Sequence, residues 1–311
     1  MKILNKSNII DKVYVIVGPT ASGKTAVSIA LAKLLNAEII SADSRQVYKY
    51  IQIATCAPTK EEISDVKHYF VNELEPVDEF NAGLFAKKAR LIIKETLRKK
   101  KNVLVVGGSG LYIKALIDGL YDEDINSSEI RNRLNERLKS EGREVLYDEL
   151  KKIDPESASK MDSGKFRRVI RALEVYYVTG KKISEFQMNN VKPDFESIQI
   201  GLKMDRGLLY ERINNRVDKM LDSGLLKEVE ELRHRNMSYK THNSLNTVGI
   251  KEVFQYLEGE IDKENMIEKI KMNTRRYAKR QLTWFNADKR IKWIDATVNN
   301  LHEIIYENCI K

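Results

Sequence analysis

Eight residues near the start of the chain have the types and spacing of a phosphate cradle. Gly18-Pro19-Thr20-Ala21-Ser22-Gly23-Lys24-Thr25 fits the phosphate-binding loop (P-loop) pattern G-x-x-x-x-G-K-[ST]. The glycines let the backbone curl so that several N–H groups point at one anion, and the N-terminus of a following helix adds partial positive charge. Lys24 is spaced to hold a terminal phosphate, and the Thr25 hydroxyl to reach a Mg²⁺ ion. These residues call for a diphosphate-like group and leave open what carries it, a nucleotide such as ATP included.

A carboxylate and a second glycine loop could complete the site. Asp43 ends the run Glu38-Ile39-Ile40-Ser41-Ala42-Asp43-Ser44, at the strand edge where open α/β sheets bind ligands. There it can take a proton from an attacking nucleophile. An Asp so placed equally caps a helix, and position alone leaves both roles open. Gly107-Gly108-Ser109-Gly110 follows the apolar run Val103–Val106. It reads either as a loop closing over phosphates, with Ser109 as a donor, or as a tight βα turn. No acid follows that strand, which counts against an ATP-hydrolysing motor.

Arginines mark a third kind of chemistry. Arg167, Arg168 and Arg171 share one helical period, and Arg212 and Arg216 lie one turn apart beside the apolar stripe Leu209, Ile213, Val217 and Met220. Arg275, Arg276, Lys279 and Arg280 form two i,i+4 stripes ahead of Trp284 and Phe285, with no acid in residues 274–285. A solvated face would interleave acids at that spacing. The stripes read as guanidinium groups in register with a phosphate backbone, or as a solvated basic face.

These residues need a scaffold. Strands are predicted at 13–17, 37–40, 68–72 and 102–106, alternating with helices at 24–35, 81–99 and 110–117, the pattern of a parallel sheet wrapped by helices. From about Asp122 to Asp194 only charged helical periods occur (128–140, 143–152, 165–179), which reads as a helical insertion. A strand at 197–202 restores the sheet, followed by helices at 208–222, 225–236, 249–257 and 263–285, a strand at 291–294 and a C-terminal helix. The expected domains are residues 1–121, 122–195 and 196–311.

With 311 residues, 42% of them hydrophobic, the chain has room for one large α/β core and an insertion. No apolar run approaches the roughly 18 residues of a membrane span, and Met1–Lys12 lacks a signal-peptide core. Two distant cysteines, Cys56 and Cys309, suit reduced thiols in a cytoplasmic protein. The net charge of +9 favours an anionic partner. Residues 1–120 hold 18 basic and 12 acidic side chains and the remainder 36 and 33, so the excess is spread and the arginine arrangement must decide.

Six segments, in this order over residues 18–285, carry a specific resemblance: G-P-T-A-S-G-K-T, S-A-D-S-R-Q-V-Y, V-V-G-G-S-G-L-Y-I-K-A-L, R-R-V-I-R-A-L-E-V, T-V-G-I-K-E and T-R-R-Y-A-K-R-Q-L-T-W-F. Together they resemble the bacterial type of the tRNA dimethylallyltransferase (tRNA isopentenyltransferase) family. The resemblance implies an α/β fold: a P-loop NTPase-like core with a parallel sheet plus a mainly helical insertion domain. It implies that Gly18–Thr25 hold the diphosphate of dimethylallyl diphosphate, and that the acceptor is N6 of the adenosine immediately 3′ of a tRNA anticodon. Asp43 would take the N6 proton. Thr25 would bond the leaving oxygen and help hold Mg²⁺, and Arg216 would neutralise the departing diphosphate. Asp43, Ser44, Arg45, Gln46, Arg167, Arg168, Val169, Ile170 and Arg171 match segments that touch the tRNA anticodon loop, and Ser109 and Arg131 match positions near it. Arg276 and Arg280 join them on the basic helix, and a monomer is expected.

The chain departs from the family pattern in three places. Ile53-Ala54-Thr55-Cys56-Ala57-Pro58 replaces I-G-T-A-K-P and so lacks a lysine, Asp162-Ser163-Gly164-Lys165 replaces H-P-N-D, and Ile250 replaces an aromatic. These bear on fine tRNA contacts. Two other classes of function fit part of the pattern: a P-loop nucleoside or small-molecule kinase, which leaves the basic helix without a purpose, and a non-catalytic RNA-binding protein, which leaves Asp43, Thr25 and Arg216 without one. A transferase acting on free adenine nucleotides would need no RNA-length basic surface.

Overall fold

Six runs rich in β-branched and aliphatic residues pair into one sheet in the computed structural model, which describes residues 12–119, 127–187 and 193–311. They are β1 (Lys12–Val17), β2 (Ala37–Ser41), β3 (His68–Tyr69), β4 (Asn102–Gly107), β5 (Glu196–Lys203) and β6 (Lys292–Asp295). Every pairing is parallel, in the order β3-β2-β4-β1-β5-β6. Strands covered on both faces read as continuous apolar runs rather than alternations, and Val13–Val17 and Val103–Val106 are all buried.

Val17 lies level with Gly107 on one side and Gly201 on the other, and Ser41 lies level with Val106. The C-terminal ends of β1, β2 and β4 therefore share one edge. The chain segments leaving them are the three candidate loops at Gly18, Asp43 and Gly108.

Helices α1 (Lys24–Leu35), α2 (Gln52–Thr55), α3 (Lys60–Asp65), α4 (Ala82–Arg98) and α5 (Gly110–Asp118) follow in the first part of the chain. The α4 cap is local: the Asn81 carboxamide accepts the N–H groups of Gly83 and Leu84. The strand expected at 68–72 stops after Tyr69. Phe70 and Asn72 take left-handed φ of 61° and 56°, which breaks an extended ladder, and Phe70 turns inward against Phe80 and Phe85. Both α2 and α3 lie in a stretch with no predicted element. The α3 start carries a readable capping box, Thr59 with Glu62.

The chain divides into two compact units, Met1–Ile113 with Asp194–Lys311, and Lys114–Pro193. The boundary expected at residues 121–122 lies outside the described residues, as does most of the Met1–Lys12 segment. The second unit holds α6 (Ser128–Ser140), α7 (Arg143–Ile153), α8 (Pro155–Ser159), α9 (Phe166–Thr179) and α10 (Ile183–Gln187), with no strand among its described residues. Its core joins Leu134, Leu146, Leu150, Val169, Ile170 and Leu173. Each such side chain, fully removed from water, contributes about 1.5–3 kcal/mol.

In the first unit the chain continues through α11 (Arg206–Asp222), α12 (Leu225–His234), α13 (Ile250–Leu257), α14 (Lys263–Asn286) and α15 (Leu301–Ile305). Helix α14 packs against α11 and α13, and Met266, Ile270, Ala278, Gln281 and Phe285 are the buried side chains of its inner face. That spacing leaves Arg276, Lys279 and Arg280 exposed.

Candidate active site

The three loops at the sheet edge open onto a cavity of about 1300 Å³. Thr20–Thr25 of the P-loop line it. Gly18, Ala21 and Gly23 take positive φ of 152°, 63° and 88°, and a Cβ on Gly18 would stand 2.8 Å from the Leu202 carbonyl oxygen. The loop therefore needs glycine at its first position for both backbone freedom and space. Ser22 is 1% exposed, and its hydroxyl has no hydrogen-bond partner, an orphaned donor within a loop shaped for an anion.

Lys24 folds back over this loop, donating from Nζ to the Gly18 and Pro19 carbonyls at 2.9 and 2.6 Å. Desolvation, reinforced by the Arg216 guanidinium and opposed by Asp43, pushes its ammonium down to about 7. A bound diphosphate would reverse that balance, because an adjacent anion favours the charged amine.

Asp43 borders the cavity and caps its own turn. Its Oδ1 accepts the N–H of Arg45 at 2.9 Å and of Gln46 at 3.4 Å. The capping role is thus realised on the turn after β2, and the same carboxylate stays beside the cradle. Ser109 ties the β2 and β4 ends together: its Oγ accepts the Ser44 N–H at 3.0 Å, and its own N–H donates to the Ala42 carbonyl at 3.2 Å. The glycines around it sit in close contact with their neighbours. A Cβ would stand 2.1 Å from the Ala42 oxygen at Gly107, 2.1 Å from Gln281 Nε2 at Gly108 and 2.2 Å from the Trp284 ring at Gly110.

Arg216, on α11, reaches the cavity. Its Nε donates to Cys56 Sγ at 2.8 Å and its Nη2 to the Thr55 carbonyl at 3.4 Å. Burial pushes the Cys56 thiol up, only partly offset by Arg216, so the sulfur is held as a neutral thiol. The segment that carries it is fixed from α12, where the Glu228 carboxylate accepts the N–H groups of Ile53 and Ala54 at 2.7 and 2.9 Å. Burial pushes the Glu228 carboxyl up, and those two donors pull it down. Ala57, standing where the family pattern has lysine, also lines the cavity.

Helix α14 supplies another wall. Tyr277 and Arg280 line the cavity. Burial, reinforced by the nearby Asp43 carboxylate, pushes the Tyr277 phenol up. Arg275 donates to Asn214 at 2.7 Å, so the outward basic stripe consists of Arg276, Lys279 and Arg280. Trp284 follows them, 41% exposed.

A divalent cation would find oxygen ligands here and no cage. Thr25 and Asp43 both border the cavity, and among the described residues no three His, Cys, Asp or Glu side chains group to hold a metal. That donor set fits Mg²⁺, which keeps several waters and is held by one or two protein oxygens plus substrate phosphates.

The helical unit corrects part of the expected RNA surface. Val169 and Ile170 are 2% and 6% exposed and belong to its core, so their side chains have no surface to offer RNA. Arg131 and Arg171 both pair with the fully buried Glu174, at 2.9 and 3.1 Å, so the buried carboxylate is compensated by two guanidinium groups. Arg167 and Arg168 are exposed. Asp162 and Lys165 form an ion pair of 3.3 Å about a short turn, and Ile250, in the other unit, is buried.

Sequence reasoning missed Gln281, Tyr277, Glu228 and the Thr55–Cys56 contact with Arg216. A buried polar residue in a basic helix was the available signal for Gln281. Nothing local pointed to Glu228, which acts 175 residues away.

Comparison with known proteins agrees with this geometry. The family model described as IPP transferase matches residues 46–288. The tRNA dimethylallyltransferase of Carboxydothermus hydrogenoformans is 46% identical over 94% of this chain and 95% of its own length, and that of Salinibacter ruber 44% identical over 98% and 94%. The solved tRNA isopentenylpyrophosphate transferase of Bacillus halodurans superposes with a TM-score of 0.71 at 38% identity, covering 96% of each chain. A eukaryotic dimethylallyltransferase solved acting on tRNA gives 0.80 at 31% identity, over 96% of this chain and 76% of that one. With the cradle, the sheet-edge carboxylate and the α11 arginine on one cavity and the match running through most of its length, the chain belongs to the IPP transferase family.

Proposed function

We propose that this chain transfers a dimethylallyl group from dimethylallyl diphosphate to N6 of the adenosine immediately 3′ of the anticodon in tRNA, releasing diphosphate. The observation that carries the reading is the convergence of Thr20–Thr25, Asp43 and Arg216 on one cavity walled by the basic helix α14. A kinase has no use for that helix, and a passive RNA binder has none for the cradle.

An adenine N6 amine is a weak nucleophile, so the allylic carbon must gain cationic character as its bond to the diphosphate oxygen breaks. Charge builds on the leaving oxygens, and positive groups fixed in advance stabilise it best. The P-loop N–H groups, Lys24 and Arg216 are those groups. Thr25 donates to the leaving oxygen and, with Asp43 nearby, would hold Mg²⁺, which when bound supplies further positive charge to the diphosphate. As the N6–carbon bond forms, N6 passes a proton to the Asp43 carboxylate.

The acceptor base lies in a stacked loop, so it must leave the stack to reach Asp43. Exposed arginines at 167 and 168 and at 276 and 280 suit contacts with the phosphates of a loop whose base is splayed out. Ser44, Arg45, Gln46 and Ser109 stand beside Asp43 to receive it. Arg131 and Arg171, both paired to Glu174, act by holding the surface that Arg167 and Arg168 share. The helical unit is the proposed clamp, and the protein is proposed to work as a monomer in the cytoplasm.

Incubation with labelled dimethylallyl diphosphate and either tRNA or AMP, followed by nucleoside analysis, tests the reading. Label in N6-dimethylallyladenosine from tRNA alone is the expected result. Label in AMP would move the chain to free nucleotides, and phosphate transfer from ATP without prenyl transfer would make it a kinase.

A further inference from the structure

Gln281 is 5% exposed on a helix whose neighbouring side chains carry charge to the surface, and both ends of its carboxamide are used. Oε1 accepts the Thr20 N–H at 2.8 Å, and Nε2 donates to the Gly108 carbonyl at 3.0 Å. One side chain thus joins the P-loop to the loop after β4. The two approach closely: a Cβ on Gly108 would stand 2.1 Å from Gln281 Nε2. One turn earlier on the same helix, Tyr277 lines the cavity, and Arg280 stands next to Gln281 at the cavity wall.

Thr20 is the third residue of the cradle, and its N–H is spent on Gln281 rather than on an anion. The orientation of that peptide sets where the following amides, from Ala21 to Thr25, point. We propose that Gln281 is a positioning residue: it fixes the Thr20 peptide so that the remaining cradle amides converge on a diphosphate. Through the same bonds it makes the RNA-facing helix and the cradle one rigid unit. This rests on the function proposed above for the identity of the donor, though the cradle geometry itself does not.

The chemistry separates Gln281 from its nearest replacements. Methionine matches its length and volume without either hydrogen bond. Glutamate can still accept from Thr20 but cannot donate to Gly108, and it adds a negative charge beside a bound anion. An orphaned buried group weakens an interaction by about tenfold to a hundredfold, so the expected order of diphosphate affinity is Gln, then Met, then Glu.

The test is calorimetric titration of inorganic diphosphate with Mg²⁺ into the full-length parent, Gln281→Met and Gln281→Glu, with tRNA affinity and steady-state prenylation measured alongside. Binding stoichiometry near one shows that each variant is folded. Gln281→Met should lose about tenfold in diphosphate affinity with a matching rise in the KM for the donor, Gln281→Glu should lose more, and tRNA affinity should stay within about threefold. Diphosphate affinity and donor KM equal to the parent in both variants would overturn the proposal. So would a loss confined to folded fraction or thermal stability with KM unchanged. If the parent fails to prenylate tRNA while diphosphate affinity still follows Gln, Met, Glu, the functional reading falls and Gln281 keeps its role.

Discussion

Arg216 Nε and Cys56 Sγ lie 2.8 Å apart, so the cation proposed to receive the departing diphosphate is held by a neutral thiol and a carbonyl rather than by a carboxylate. Its full charge is therefore left for an anion, and its position is set by the segment that Glu228 pins.

Removal of that charge should be costly. Arg216→Ala should lower kcat/KM for dimethylallyl diphosphate by about 10²–10³-fold, the usual cost of one donor to a developing oxyanion, with tRNA affinity little changed. Cys56→Ala keeps the charge and loses only its tether, so a fall of no more than about tenfold is expected. Steady-state kinetics on both variants check the pair. Equal losses would mean that Arg216 serves the fold around Cys56 rather than the diphosphate.

Asp43 has two roles that one substitution can separate. Asparagine caps turns as well as aspartate does, so Asp43→Asn should keep thermal stability near that of the parent while turnover drops about 10²–10⁴-fold for want of a base. Asp43→Ala should lose the same activity and, in addition, about 1 kcal/mol of stability from the missing cap bonds. Turnover of Asp43→Asn within a few-fold of the parent would leave Asp43 a cap alone.

Lys24 gives the diphosphate affinity a pH dependence of known sign. In the free protein its ammonium titrates near 7, and the bound diphosphate must raise that value because the neighbouring charge is opposite. Above pH 7 binding therefore takes up a proton at Lys24, and affinity falls by up to about tenfold per pH unit until the bound-state value is reached. For folding, the lowered value disfavours the charged amine, so this group costs stability below about pH 7 and the cost fades as pH rises toward 10.5. Calorimetry at pH 8 in buffers of different ionisation heat should find proton uptake in the parent that Lys24→Arg lacks. Diphosphate's own protons contribute equally to both, so identical uptake would place the Lys24 titration elsewhere.

Paired and unpaired arginines of the helical unit should behave differently in a salt series. Each phosphate contact of a single-stranded segment adds about −0.7 to the slope of log K against log salt. The Arg167→Ala, Arg168→Ala double variant should thus flatten the tRNA slope by about 1.4 and leave stability alone, because both side chains are exposed. Arg171→Ala should mainly lower the melting temperature, since Glu174 is fully buried between Arg171 and Arg131. Parallel salt lines for parent and double variant would mean that Arg167 and Arg168 face solvent in the complex.

Wherever the physics is local, the sequence alone determined the outcome. The P-loop spacing, the continuous apolar runs of β1 and β4, the Asn81 cap of α4 and the apolar period of α14 are each written in a few consecutive residues. A family resemblance spread over six segments supplied the donor, the acceptor and the part expected of each residue.

Tertiary structure decided what depends on residues far apart in the chain. Phe70 ends β3 early because its ring joins an aromatic cluster built from Phe80 and Phe85, an attraction that β-propensity does not contain. Val169 and Ile170 sit in an arginine-rich motif yet face inward, because helical period assigns them to the core while leaving Arg167 and Arg168 outside. Arg171 and Arg131, alike in sequence to Arg167 and Arg168, are claimed by Glu174. Gln281 reaches Thr20 across 261 residues, and only packing could reveal that contact: a buried carboxamide must find both a donor and an acceptor, and the fold brings them from two separate loops.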